Sequence, residues 1–238
     1  MQLTLGEWGG DIFMFLDSDD YLELDACQKV AEEFSKNNID LCIFQFKYQK
    51  DKTKYQEKSF FDANHLFDIE EFEKFWIRNG GHNTLNSLCN KGFKKELYIK
   101  NYEEHLKAIQ ERIQNNIQQK IQMAEDVITS IPYLSYVKNV SLLNEPLYVY
   151  CFNELSITNK KVNFAACLQD LSFAMNFLKQ LQSHSKTYNQ LVEIVICNLK
   201  IHSFDLSKIH SNFFARLKIK IQRKMTKIKK KNLIKQVI

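Results

Sequence analysis

Short apolar runs alternate with polar stretches along the first 150 residues, and this pattern predicts a mixed α/β fold. Runs rich in β-branched and aromatic residues predict strands, whereas apolar residues spaced three or four apart predict helices. The predicted strands are residues 11–16, 39–49 and 140–152, the last interrupted by a turn at residues 144–146. The predicted helices are residues 25–37, 69–79 and 124–137, and residues 86–100 predict a short strand or turn followed by a helix. The polar residues 50–65 between them predict a loop or a ragged hairpin.

The second half of the chain has the signature of a mainly helical region. No glycine follows Gly92, and glycine is the residue that most often interrupts or ends a helix. Helical spacing predicts two helices near residues 162–183 and 187–202. Residues 101–122 contain strong helix formers but few apolar side chains, so we expect a solvated, projecting helix or a mobile insertion there.

Composition and charge separate the last 23 residues from the rest. The hydrophobic content of 45% is typical of a globular protein. Residues 216–238 contain ten Lys or Arg and no Asp or Glu, while the remainder has 23 basic and 28 acidic residues. The body is therefore acidic, at about −5, and this balance argues against a nucleic-acid partner.

The basic segment also carries an apolar stripe, because Leu217, Ile221, Met225 and Ile228 recur at helical spacing. A basic amphipathic helix is typical of proteins that bind the anionic inner surface of a membrane. The alternative is a solvated helix with no partner.

The six cysteines are scattered without a C-x-x-C pair, and "MQLTLGEWGG" lacks the basic start and apolar core of a signal peptide. No apolar run approaches the ~20 residues of a membrane span. We therefore expect free thiols and a cytoplasmic protein, peripheral on the inner face of the membrane through its basic tail.

The first candidate site follows the first predicted strand, where Asp17, Asp19 and Asp20 lie within four residues. Carboxylates this close repel one another unless a cation lies among them. A carboxylate cluster after a strand is a typical ligand set for Mg²⁺ or Mn²⁺ that also binds substrate phosphates. The alternative is a loop whose acids precede the helix starting at Asp25, where Gln28 would complete a capping box.

A second acidic pair, Glu125 and Asp126, opens the predicted helix 124–137. Acidic residues there interact favourably with the helix dipole, which is one explanation of the pair. The other explanation is that a carboxylate at this point accepts a proton from a substrate.

Four segments resemble, in the same order, the family-2 glycosyltransferases of the GT-A fold. They are "GDIFMFLDSDDYLELD" (10–25), "NSLCNKGFKKELY" (86–98), "AEDVITSIPYL" (124–134) and "EPLYVYCFNELSIT" (145–158). The resemblance implies a partial GT-A, Rossmann-like sheet and a mainly helical C-terminal half. The expected division is a partial glycosyltransferase domain over 1–160 with a helical insertion at about 101–122, a helical extension over 161–215 and a basic amphipathic tail over 216–238.

The resemblance also implies an activity. A hexosyltransferase-like enzyme would move a sugar from a nucleotide-diphospho-sugar to a glycan or lipid-linked acceptor in cell-surface polysaccharide or lipopolysaccharide synthesis, with inversion. By the resemblance, Asp17, Asp19 and Asp20 bind the donor, and Asp19 and Asp20 also bind Mn²⁺ or Mg²⁺. It assigns catalysis to Asp126 with Glu125. It assigns contact with the acceptor or the diphosphate to Asn90 and Lys91. Lys91 could equally be a solvated surface charge.

One departure from the family concerns the start of the chain. Family members begin with βαβ units that bind the nucleobase, whereas this chain enters a few residues before the predicted metal-binding strand. Either a separate polypeptide supplies the missing half, or the chain is a non-catalytic truncated remnant that acts at most as an interaction or membrane-attachment module.

Overall fold

The structure is a computed structural model that describes residues 9–51, 54–58, 60–81, 85–107, 109, 121, 123–151, 163–181, 185–209 and 211–237. Within these residues the chain forms seven strands and seven α-helices. The strands are β1 (Ile12–Met14), β2 (Tyr21–Leu22), β3 (Leu41–Asp51), β4 (Lys54–Lys58), β5 (His65–Asp68), β6 (Lys91–Lys94) and β7 (Asn139–Cys151). The helices are α1 (Ala26–Asn37), α2 (Ile69–Arg78), α3 (Lys95–Asn101), α4 (Glu125–Tyr133), α5 (Phe164–Gln180), α6 (Lys186–Ile209) and α7 (Phe213–Lys235).

The seven strands form one mixed sheet in the order β1-β6-β3-β7-β2, with β4 added beside β3 and β5 beside β7. The central pair, β3 and β7, is parallel, and the other described pairings are antiparallel. A central strand buried on both faces is expected to be apolar at consecutive positions. Residues 41–44 of β3 are indeed all buried, and this arrangement places β3 at the centre of the fold.

Alternate side chains of β3 build two separate cores. Leu41 and Ile43 belong to a large core shared with α2, α4, α5 and α6, whereas Cys42 and Phe44 belong to a smaller core under α1. This division follows from the two-residue period of a strand, which sends neighbouring side chains to opposite faces. The predicted α/β class with a mainly helical second half is confirmed.

Side-chain caps account for where several helices begin. Asp68 at the start of α2 accepts a hydrogen bond from the Glu71 backbone N–H at 2.8 Å, and Asn212 does the same for α7 through Ala215 at 3.0 Å. The capping box predicted for α1 is wrong. Asp25 makes no capping hydrogen bond and instead pairs with Lys29 at 2.9 Å, while Gln28 donates to Glu32.

One other local prediction, the turn at residues 144–146, is wrong, and the hairpin predicted nearby is present. The predicted turn at residues 144–146 is absent from the described chain, because β7 continues through Pro146, which pairs with Gln45 where the register of β3 and β7 shifts. A bulge tolerates a residue that donates no hydrogen bond. The hairpin alternative predicted for the polar stretch 50–65 is confirmed, because β4 forms an antiparallel hairpin with β3 whose register shifts between Gln49 and Asp51.

Most of the insertion predicted over residues 101–122 lies outside the described residues. Its first part does not project into solvent. Tyr102 and Leu106, on a π-helical turn that follows α3, are both 8% exposed and pack against the large core. The three-part domain division stays a prediction, although this core joins side chains from both sides of the proposed boundary at residue 160. None of the described helices has the length and hydropathy that crossing a bilayer requires.

Candidate functional site

Strand β1 delivers a tight turn of acidic residues to one edge of the sheet. The Asp20 backbone N–H donates to the Asp17 carbonyl at 3.1 Å, which closes the turn. The side chains of Asp17 and Asp19 are exposed, whereas Asp20 is partly buried. The three aspartates that the sequence singles out therefore differ in environment, with two facing solvent and one facing the sheet.

Asp20 is held by β7. Its Oδ2 accepts a hydrogen bond from the Tyr148 hydroxyl at 2.6 Å, and its Oδ1 accepts one from the Cys151 backbone N–H at 2.8 Å. Partial burial raises the pKa of Asp20, and the two hydrogen bonds oppose that rise. The Tyr148 oxygen also accepts the Asp17 backbone N–H at 3.3 Å. Tyr148 thus fixes the acidic turn against β7, a role that the sequence does not reveal although Tyr148 lies in the segment 145–158 that resembles the family.

We expect Tyr148→Phe to loosen this turn. Removing the hydroxyl leaves the partly buried Asp20 carboxylate without one of its donors, which costs about 1–2 kcal/mol. Thermal unfolding should show the loss at neutral pH. The loss of stability should be smaller at low pH, because a protonated Asp20 carries no charge and loses less when the Tyr148 hydroxyl is removed. Tyr150→Phe removes a hydroxyl from the same strand and serves as the control, because the donors to Asp20 are the Tyr148 hydroxyl and the Cys151 backbone N–H. An equal loss in both variants would contradict the assignment.

The loop before β6 forms the wall beside the turn, and it buries Asn90 and Lys91, each 1% exposed. The Asn90 amide nitrogen donates to the Phe44 carbonyl at 2.9 Å. The Lys91 ammonium donates to the Ser87 carbonyl and to Asn90 Oδ1. Burial lowers the pKa of Lys91 to about 7. The interpretation of Lys91 as a solvated surface charge is therefore wrong, and contact of either residue with a ligand stays a prediction.

Helix α4 brings Glu125 and Asp126 to the same place. Ala124, immediately before it, has a φ of 68°, which is uncommon for a residue with a Cβ atom. The Ser130 hydroxyl donates to the buried Asn86 carbonyl at 2.7 Å and so attaches α4 to the loop before β6. The first turn of α4 is therefore held next to Lys91.

The acidic groups of this region raise one another's pKa. Burial raises the pKa of Asp126 to about 7, with further contributions from the charges of Glu125 and Asp17, while Lys91 and a hydrogen bond from the Leu88 backbone oppose the rise. Burial also raises the pKa of Glu125. The structure thus brings Asp17, Lys91, Glu125 and Asp126 into electrostatic contact. A carboxyl group that titrates near neutral pH can accept a proton under physiological conditions.

Cys89 is a site residue that sequence reasoning missed, because its spacing to the other cysteines carries no signal. Its thiol donates to Asp17 Oδ2 at 3.3 Å. Burial and the charge of Asp17 raise the pKa of this thiol to about 12, so it stays protonated and acts as a donor to Asp17.

The donor set partly fits a divalent metal. Among the described residues no three His, Cys, Asp or Glu side chains converge as a metal cage. Mg²⁺ sites on nucleotides, however, commonly use one or two carboxylates together with substrate phosphates. Asp17 and Asp19 suit such a site because their side chains are exposed, whereas Asp20 is partly buried and its two oxygens accept hydrogen bonds from β7. Asp19 and Asp20 as metal ligands stay a prediction.

A family model and several solved structures match this chain. Residues 3–118 match the family model described as glycosyl transferase family 2. The match ends before Glu125, so the role of α4 rests on its geometry. A search of curated protein sequences gives no match.

Solved structures of Staphylococcus aureus TarS residues 1–349 have a similar fold. The complex with UDP-GlcNAc is 14% identical with a TM-score of 0.55, and the alignment covers 97% of this chain and 58% of that one. A second structure of the same TarS residues gives 14% identity, a TM-score of 0.52 and coverages of 98% of this chain and 57% of that one. The chain therefore spans less than two thirds of the proteins it resembles, and the likeness establishes a GT-A fold.

Proposed function

Because residues 3–118 match the model of glycosyl transferase family 2 and the chain has a GT-A fold, we propose that it transfers a sugar from a nucleotide-diphospho-sugar to an acceptor hydroxyl. The observation that carries the proposal is the carboxyl group of Asp126, whose pKa is raised to about 7 beside the buried Lys91 and within reach of the charge of Asp17. A base and an acidic donor turn at one edge of the sheet are the two parts that this reaction needs.

The donor binds at the turn after β1. The TarS structures named above, one of them bound to UDP-GlcNAc, support a nucleotide-sugar as the donor class. The exposed carboxylates of Asp17 and Asp19 would hold a divalent cation on the diphosphate, which offsets the negative charge that develops on the leaving group. Tyr148 keeps the turn in place by binding Asp20.

Asp126 removes the proton from the attacking hydroxyl of the acceptor. Its pKa near 7 means that a large fraction is ionised at neutral pH while the group remains a strong enough base. The charge of Lys91 lowers the pKa of Asp126, so Lys91 is a positioning residue in this scheme. Direct attack on the anomeric carbon, with departure of the nucleoside diphosphate from the opposite side, inverts the configuration.

The acceptor class is a glycan or lipid-linked sugar in cell-surface polysaccharide or lipopolysaccharide synthesis. This part of the proposal rests on the family resemblance of the sequence segments. The rival function is a non-catalytic interaction module, which would need no ordered donor site.

Nucleotide binding distinguishes the two functions. We expect UDP together with Mn²⁺ to raise the melting temperature, because a ligand at about 100 times its Kd adds about 2.7 kcal/mol of stability, or roughly 5–10 °C for a chain of this size. Asp19→Asn should abolish the shift.

The control for that variant is Asp62→Asn, at an aspartate whose side chain is fully exposed beside His65. It should keep the full shift. GDP and CDP, tested in the same way, identify the preferred base. Melting curves that no nucleoside diphosphate changes would refute the donor site and favour the non-catalytic module.

A further inference from the structure

Helix α7 is attached to the body of the protein by one face only. Arg223 pairs with Asp205 of α6 at 2.6 Å, and Lys229 pairs with Glu193 at 2.5 Å. Thr226 lies between them and is 8% exposed. Leu233 and Ile234, near the end of the helix, pack against the large core. These contacts fix the rotation of α7 about its own axis and therefore decide which side chains face away.

The outward face carries an apolar stripe. Leu217, Ile221, Met225 and Ile228 are 51%, 55%, 65% and 49% exposed, respectively. Their spacing of four, four and three residues keeps them on one side of the helix, over a length of about 16 Å at a rise of ~1.5 Å per residue. Single exposed apolar side chains are ordinary, but an aligned row on one helix indicates a surface that is covered in use.

Positive charge surrounds this stripe. At about 100° per residue, Lys218 and Lys224 lie roughly 60° to either side of its centre. The segment 216–238 has ten basic residues and no acidic one. Three of them, Arg223, Lys229 and Lys230, are at least partly engaged on or near the inward face. The other seven are exposed: Arg216, Lys218, Lys220, Lys224, Lys227, Lys231 and Lys235.

We propose that the outward face of α7 is a docking surface for an anionic lipid bilayer. An anionic bilayer has an apolar layer that can cover the stripe and negative headgroups that can pair with the flanking lysines. The helix lies in the plane of the membrane surface, with its inward face remaining on α6. This placement holds the whole protein on the membrane without a spanning helix.

Charge complementarity excludes the two obvious rivals. A second copy of α7 would bring two rows of lysines together, and like charges across an interface are unfavourable. A nucleic acid would neutralise the lysines but would leave the four apolar side chains uncovered. An anionic bilayer satisfies both sets of residues.

The test is co-sedimentation of the full chain with lipid vesicles. We expect binding to vesicles rich in phosphatidylserine and little binding to pure phosphatidylcholine. Raising the salt from about 0.1 M to about 1 M shortens the screening length to ~3 Å and should weaken the binding without abolishing it, because apolar insertion persists.

Two sets of variants separate charge from insertion. Lys218→Gln, Lys224→Gln and Lys231→Gln together should weaken binding on the order of 100-fold, since each basic residue near an anionic surface contributes about a factor of five. Ile221→Gln with Met225→Gln should weaken it at both salt concentrations. Glutamine keeps helix propensity, and circular dichroism checks that α7 remains folded.

The matched control is Leu24→Gln with Leu66→Gln, which removes two apolar side chains elsewhere that are 107% and 56% exposed. It should bind vesicles like the wild type. Two results would overturn the proposal. One is undiminished binding by the Ile221 and Met225 variant. The other is stronger binding to single-stranded DNA than to the vesicles, with the same variant unaffected, which would make the surface a nucleic-acid site.

Discussion

Replacing Asp126 by Asn is expected to lower kcat for sugar transfer by about 10²- to 10⁴-fold, the usual contribution of a positioned general base. Asparagine has nearly the same shape but cannot accept the proton of the acceptor hydroxyl. Donor affinity should change little, because the donor turn belongs to a different element, β1. The readout is kcat and the donor KM, with hydrolysis of the nucleotide-sugar as the assay when no acceptor is supplied.

Glu125 gives the matched comparison for Asp126. Its charge raises the pKa of Asp126, so Glu125→Gln should move the acidic limb of the pH–rate profile below its expected midpoint near 7 and leave most of the activity at neutral pH. Lys91 opposes that rise, so Lys91→Met should move the limb to higher pH. An Asp126→Asn protein with wild-type kcat, or limbs that move in the opposite directions, would remove Asp126 from the mechanism.

Asp126→Asn should also change the stability of the protein, and this effect can be measured without a substrate. The pKa of Asp126 is about 7 in the folded protein against an ordinary value of 3.8, so folding favours the protonated form. The native state then holds a proton that the unfolded chain has lost, and stability from this group falls as the pH rises from about 4 to 7. Between pH 5 and pH 7 the fall is about 2–3 kcal/mol. In urea unfolding, Asp126→Asn should therefore gain stability relative to the wild type over this interval.

The regular elements could be predicted wherever an apolar pattern decides the packing. Helix α2 was expected over 69–79 and spans Ile69–Arg78, because Phe72 and Trp76 lie one turn apart and are both fully buried. Strand β7 could not be predicted as one strand. Pro146 normally ends a strand, and only the shifted register with β3 accommodates it.

The sequence predicts which residues form the site, but it does not predict how deeply each of them is buried or how its pKa is shifted. Asp17, Asp19 and Asp20 look alike in the sequence, and a tyrosine 128 residues after Asp20 decides which of them faces the sheet. Lysine is normally exposed, and nothing in the sequence indicates that Lys91 is buried with its ammonium group donating to the Ser87 carbonyl and to Asn90 Oδ1. The pKa of Asp126 is raised mainly by its own burial, which the sequence alone could not predict either.

The glycine next to Lys91 connects the fold to the site. Gly92 pairs with Met14 of β1 and with Cys42 of β3, directly under α1. A Cβ atom at this position would lie 2.6 Å from Val30 Cγ1 and 3.2 Å from a ring carbon of Phe34. Helix α1 approaches β6 this closely because residue 92 has no side chain, and the same residue pairs with the strand that carries the acidic turn.

Gly92→Ala should therefore destabilise the protein by about 1–3 kcal/mol, the usual cost of overpacking a filled core, and lower the melting temperature by several degrees. Gly10→Ala is the control, because its nearest neighbour would be 3.9 Å away and its melting temperature should stay unchanged. Val30→Ala removes the methyl group that clashes with the new Cβ. The double variant should then be more stable than the sum of the two single losses predicts, a coupling that a double-mutant cycle measures directly. Strict additivity of the two losses, or equal melting temperatures for Gly92→Ala and Gly10→Ala, would show that contact with α1 does not require glycine at this position.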